Sequence, residues 1–98
     1  MLNQIVLVGR LVKTPVIEKE DGKEKSVITL AVQRSYKNEE GTYETDFIDC
    51  VLWGGIASNT AEYCNKGDLM GVKGRVQGNV EILAEKVTFL SSKKNEED

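Results

Sequence analysis

Apolar and polar positions alternate along most of this chain with the period of two that marks half-buried strands, and one short stretch departs from it. Residues 4–12 (QIVLVGRLV) are β-branched and apolar on both faces, with Gly9 inside as a candidate bulge or bend. Pro15 and the charged run EKEDGKEK at 18–25, centred on Asp21-Gly22, predict a turn. A second strand is expected over 26–34 (SVITLAVQR), a turn at NEEG (38–41) and a third strand over 46–53 (DFIDCVLW). Residues 56–66 (IASNTAEYCNK) are the one helical candidate: Ile56, Thr60 and Tyr63 share a face with Ala57, Ala61 and Cys64 beside it, and Gly67 follows as a stop. Strands over 69–76 and 80–90 complete the chain, joined by Gln77-Gly78-Asn79, a tight reversal.

The order is strand, strand, strand, short helix, strand, strand. An all-β chain of 98 residues with this order is best housed in a small closed barrel, because closure removes exposed strand edges. The five-stranded Greek-key oligonucleotide/oligosaccharide-binding (OB) barrel has that order. One domain over residues 1–90 is expected, with a short polar tail at 91–98.

Parity decides which side chains turn outward. In DFIDCVLW one row holds Asp46, Ile48, Cys50 and Leu52, and the other Phe47, Asp49, Val51 and Trp53. Burying the second row would bury Asp49 at about 2–7 kcal/mol if unpaired, so Phe47 and Trp53 are expected outward. Outward aromatics on a barrel strand mark either a protein interface or a platform on which bases stack, with Trp53 in a satellite core as a third possibility. In SVITLAVQR, Ile28, Leu30 and Val32 point to the core, and the short Thr29, Ala31 and Gln33 face out. Arg34 and Tyr36 lie past the end of that core, where parity does not orient them. In LMGVKGRV the inward row is Met70, Val72 and Val76, interrupted by Gly74, while Lys73 and Arg75 point outward as a solvated edge or as phosphate contacts. The last strand keeps Val80, Ile82 and Ala84 in phase and resumes with Val87 and Phe89, which predicts a bulge near Glu85 and Lys86.

Charge modifies this picture less than its sign suggests. The net charge is −3, but residues 37–49 alone hold five acids against one lysine, so the acidity sits largely in turns. Outside the acidic segments 18–25, 37–49 and 91–98 the chain keeps a basic excess from Arg10, Lys13, Arg34, Lys66, Lys73, Arg75 and Lys86, and a local field, not the total, steers a polyanion. With two cysteines and no histidine the chain cannot complete a structural zinc site; Cys50 and Cys64 read as buried reduced thiols, and no cofactor or metal is expected. An enzyme is disfavoured, since Asp46 and Asp49 fall on opposite strand faces and no acid/base pair, P-loop or histidine is present. No apolar run reaches membrane-spanning length and the N-terminus lacks the marks of a signal peptide, so no membrane association and a cytoplasmic location are expected.

MLNQIVLVGRL, ITLAVQRSYKNEEG, DFIDCVLWGG, AEYCNKGDLMGVKGRVQ and VTFL, taken in order over about residues 1–90, resemble the bacterial single-stranded DNA-binding protein family. The resemblance implies an OB barrel that assembles through its first strand (Gln4, Val6, Val8) into dimers or tetramers. It implies non-catalytic binding of single-stranded DNA, in replication, recombination or repair, by aromatic stacking and basic contacts. Tyr36, Phe47 and Trp53 match its stacking positions; Arg10, Arg34 and Arg75 fall at or near its polar or basic ones. Two departures are expected to matter. Gln77-Gly78-Asn79 stands where the family usually has a long basic hairpin arm, which argues against extensive wrapping, and NEED ends without Pro or Phe, which argues against recruitment of repair or replication enzymes. The competing reading is a protein-interaction barrel with vestigial DNA binding.

Overall fold

Six strands and one helix are seen in a computed structural model that describes residues 2–78 and 81–91. In chain order they are β1 (Ile5–Leu11), β2 (Glu18–Glu20), β3 (Lys23–Lys37), β4 (Tyr43–Trp53), α1 (Gly54–Tyr63), β5 (Leu69–Gln77) and β6 (Glu81–Phe89). The sheet runs β1-β5-β6-β4-β3-β2, and a further β1–β3 pairing closes it into a barrel. β6 enters between β5 and β4, antiparallel to the first and parallel to the second. This is the expected all-β OB architecture, with the helix between the third and fourth long strands.

The barrel closes at Arg10, whose backbone is paired with both Leu69 of β5 and Ala31 of β3. Gly9 precedes it and makes no bulge: its ladder with β5 is regular, and the glycine serves close approach instead. A Cβ there would lie 2.6 Å from the Ala31 carbonyl oxygen. The expected bulge in the last strand is present. Lys73 opposes Lys86 but Gly74 opposes Ala84, so Glu85 is the extra residue, and the slip lets Ile82 and Ala84, then Val87 and Phe89, turn toward one core.

The core is built from the predicted rows, with Ile28 and Leu30, Cys50 and Leu52, Met70 and Val72, Ile82 and Ala84 all buried, and from Leu7 and Leu11 of β1, a strand whose inward face the sequence left open. Ala57, Thr60 and Cys64 of α1 and its end join them. Burial pushes the Cys50 thiol up to about 11, with the Asp49 carboxylate adding to the effect, so it stays protonated at neutral pH.

Other expectations are corrected. The run 18–25 is not simply a turn: β2 and the start of β3 form a hairpin around Asp21 and Gly22, both with positive φ, and carry the sheet outward. The helix begins at Gly54 and ends at Tyr63, because Asn65 to Asp68 fold into a tight turn in which the Asn65 amide donates to the Asp68 carboxylate at 2.9 Å and the Gly67 amide to the Leu11 carbonyl at 2.8 Å. Tyr63 is partly exposed, its ring tilted against Phe89 at 6.2 Å. Val76 is exposed, since β5 has passed the core after Gly74; its backbone is held instead by the Asn3 side-chain amide, at 2.8 and 3.0 Å.

Gln77 pairs with Glu81, so the β5–β6 reversal spans residues 78–80. Asn79 and Val80, and the tail expected at 91–98 beyond Ser91, lie outside the described residues. Among the described residues no helix is long and apolar enough to cross a membrane.

Candidate nucleic-acid interface

Directly opposed residues on paired strands share a face, about 4.5–5.5 Å apart at Cβ, so the registers map the outer surface of the barrel. One row runs Leu69, Arg10, Ala31, Phe47 across β5, β1, β3 and β4. Phe47 is 68% exposed, lies beside the small Ala31, and has Arg10 on the far side of that alanine. The Arg10 guanidinium donates to the Gly67 carbonyl at 3.0 Å, which anchors it over a shallow groove lined by Ala31, Gln33, Thr45 and Leu69. A flat surface with an exposed ring and a tethered cation is what a stacked base and its phosphate require.

A second row runs Arg75, Leu83, Val51, Val27 across β5, β6, β4 and β3. Val51, of outward parity, is nevertheless buried, because Val27 and Leu83 flank it; the outer face carries an apolar strip that parity on one strand does not show. Trp53 continues β4 beyond this strip and is half-buried, not fully outward. Lys25, its cross-strand partner, holds its ammonium 5.2 Å from the indole centroid and 2.9 Å from Glu20 Oε1. The Glu20 carboxylate raises the Lys25 pKa, keeping the cation charged beside the ring. Trp53, Leu83 and Gln77 line one groove with Glu20, Asp21 and Lys23 of the β2–β3 hairpin. Between the two aromatic ends, Asp49 accepts a short hydrogen bond from the Thr29 hydroxyl, 2.6 Å, which spends part of its acceptor capacity on β3.

Lys25 and the β2–β3 hairpin were not among the candidates from sequence. The signal was available: Lys25 continues the outward parity of Val27 and Thr29, but the density of charge in 18–25 reads as a loop.

The remaining candidates do not all gather on this face. Tyr36 is 65% exposed near the tip of the β3–β4 hairpin, within the segment where the ladder slips between Gln33 and Lys37. Arg34 turns to the acids of β4: its Nε and Nη2 donate to the two Asp46 oxygens, each at 3.0 Å, and its Nη1 lies 3.0 Å from Glu44. The guanidinium holds the Asp46 carboxyl below its usual range, and the Asp46 carboxylate in turn raises the Arg34 pKa. Arg75 is exposed, with its Nε 3.9 Å from Glu85. Lys73 sits on a different part of the barrel, opposed to Val6 on one side and to Lys86 on the other. There Val6 (65% exposed) and Val8 (50%) border a groove completed by Gly71, Thr88 and Leu90. Gln4 is exposed just before β1.

Comparisons with known proteins show the family. The model of the single-strand binding protein family matches residues 2–90. Single-stranded DNA-binding protein B of Bacillus subtilis is 42% identical, over 98% of this chain and 96% of that protein, and single-stranded DNA-binding protein 3 of Listeria innocua is 46% identical, over 97% and 68%. The alignment with the Bacillus protein runs over 109 positions against 98 residues here, so parts of that relative have no counterpart in this chain. Among solved structures, a deletion mutant of the single-stranded DNA-binding protein from Thermus aquaticus superposes with a TM-score of 0.74 at 28% identity, over 92% of this chain and 42% of that one. A closed barrel with an aromatic and basic outer face, matched almost end to end by these relatives, belongs to the single-strand binding protein family.

Proposed function

We infer that this protein binds single-stranded DNA without catalysing a reaction, and that the strand lies across the outer face of β3 and β4. The observation that carries this is Phe47, 68% exposed beside Ala31 and Arg10, on the same strand face as the Trp53 groove. Phe47, Trp53 and Tyr36 stack bases; Arg10 and Arg75 meet phosphates, and Lys73 reaches the backbone only where the strand passes toward the β1 side. The binding domain takes in residues 1–90, with 91–98 as a polar tail. Work in the cytoplasm on replication, recombination or repair intermediates fits this chemistry.

Titration with oligodeoxynucleotides of increasing length, followed by the fluorescence of Trp53, the one tryptophan, tests the reading. Single strands should bind in preference to duplex and quench the signal. The logarithm of affinity should fall with that of salt, by about 0.7 for each phosphate neutralised. Because only residues 78–80 separate β5 from β6, the path ends near Arg75, and the slope should be shallower than for a relative with a long arm. Affinity that is equal for duplex and single strand, or indifferent to salt, overturns the assignment.

Self-association through β1 is part of the same reading. From Ile5 to Gly9 this strand is laddered to β5, and pairing with β3 begins only at Arg10, while Val6 and Val8 face outward. A second copy covering Gln4, Val6 and Val8 removes both valines from water. Val6→Glu should shift sedimentation from dimer or tetramer to monomer at micromolar concentration without unfolding the chain. A wild-type protein that sediments as monomer removes this interface.

A further inference from the structure

Arg34 stands in the sequence as a candidate phosphate contact, yet its donors are already engaged. Nε and Nη2 form a fork on Asp46, and Nη1 reaches Glu44, all at 3.0 Å. A phosphate would have to displace two carboxylates from one guanidinium, exchanging a bidentate charge-assisted pair for another of the same kind. The place of this clamp is informative. Gln33 opposes Thr45 and the next registered pair is Lys37 with Tyr43, so three residues of β3 face one of β4. The regular backbone ladder is interrupted there, and Arg34 bridges the strands from within the interruption. Tyr36, exposed, lies in the same interruption, and Lys37 resumes the ladder just past it with its ammonium 5.8 Å from the Tyr43 ring.

We propose that Arg34 is a positioning residue: clamped by Asp46 and Glu44, it fixes the outer half of the β3–β4 hairpin and so aims Tyr36 at the DNA strand, and it makes no phosphate contact of its own. The clamp also cancels carboxylates close to the DNA path, which would otherwise repel it. The proposal rests on the single-strand binding reading above.

The guanidinium fork is what Lys cannot reproduce, so Arg34→Lys separates the two roles. As a positioning residue, Arg34→Lys should lose affinity several-fold, by no more than Tyr36→Ala, for which one stacked base implies about a five- to 150-fold loss. The slope against salt should stay at the wild-type value, and Arg34→Lys added to Tyr36→Ala should cost nothing further. Reversing the pair, Arg34→Asp with Asp46→Arg, should restore binding, and it tests the idea even if the single variant fails to fold. As a phosphate contact, Arg34→Lys would keep wild-type affinity, Arg34→Gln would lower the slope by about 0.7, and the reversed pair would bind poorly; any of these overturns the proposal. A wild-type protein that does not bind single strands at all overturns the underlying reading instead.

Discussion

Phe47→Ala and Trp53→Ala should each weaken binding of single-stranded DNA by about 1–3 kcal/mol, the usual worth of a stacked base, and the double variant should lose close to the sum. Additivity follows from position. The rings stand six positions apart on β4, roughly 20 Å at about 3.3 Å per residue, with Asp49 and the buried Val51 between them, so no partner is shared. The two sites differ in what else they lose. Phe47 is exposed against Ala31, so its truncation opens no cavity and the melting temperature should stay within a degree or two. Trp53 is half-buried beside Leu83 and under Lys25, so its truncation removes packing as well, and its affinity must be compared with the fold intact. Trp53→Phe keeps a ring and should recover most of the binding. Filter binding or anisotropy with a labelled oligonucleotide measures all of these without the tryptophan signal. Folded single variants that bind like the wild type would remove the stacking platform.

The barrel was legible because its inward rows alternate without competition. Ile28 and Leu30, Cys50 and Leu52, Met70 and Val72 are apolar at every second position, and the phase break between Ala84 and Val87 could be answered only by an extra residue, which is Glu85. The outer face was legible strand by strand but not across strands. Parity places Val51 outward, and it is outward, but burial there depends on Val27 and Leu83, which arrive from β3 and β6 by registers that one strand does not encode. The same holds for Lys73 and Arg75. They are two apart on one strand face, yet the first opposes Val6 and Lys86 while the second opposes Leu83, on the far side of the bulge.

Charge was the least legible feature. Arg34 and Asp46 are twelve residues apart and unremarkable singly, and their pairing depends on the β3–β4 register, which sets Asp46 opposite Val32, two residues before Arg34. Lys25 sits in a run that reads as a solvated turn, and its place over the Trp53 ring follows from the Lys25–Trp53 pairing near the far end of a ladder that begins at the hairpin tip. In both cases the sequence supplies the right residue types, and long-range register decides whether a cation meets a phosphate, a ring or a carboxylate.

Gly74→Ala should be the most damaging single methyl in the molecule, costing at least about 3 kcal/mol, since overpacking of 1–3 kcal/mol applies where side chains can yield and here the obstacle is backbone. A Cβ at Gly74 would lie 2.0 Å from the Leu83 carbonyl oxygen and 2.9 Å from its carbonyl carbon. Neither can retreat without opening the β5–β6 ladder at the bulge that turns Ala84 and Val87 toward one core. For a domain of this size such a loss lowers the melting temperature by about 10–25 °C. The bulge also parts the surfaces: Lys73 on one side of it faces the Val6 groove, and Arg75 on the other joins the row of Leu83 and Val51. Damage at Gly74 should therefore impair self-association and DNA binding together, whereas Val6→Glu impairs the first and Phe47→Ala the second. Gly55→Ala is the control, because a Cβ in the first turn of α1 meets nothing within 4 Å and should leave stability unchanged or raise it by up to about 1 kcal/mol. Thermal unfolding followed by circular dichroism compares the two alanines directly. If Gly74→Ala melts within 2–3 °C of Gly55→Ala, about the shift expected for less than 1 kcal/mol, the close approach at the bulge is wrong, and with it the division of Lys73 and Arg75 between two faces.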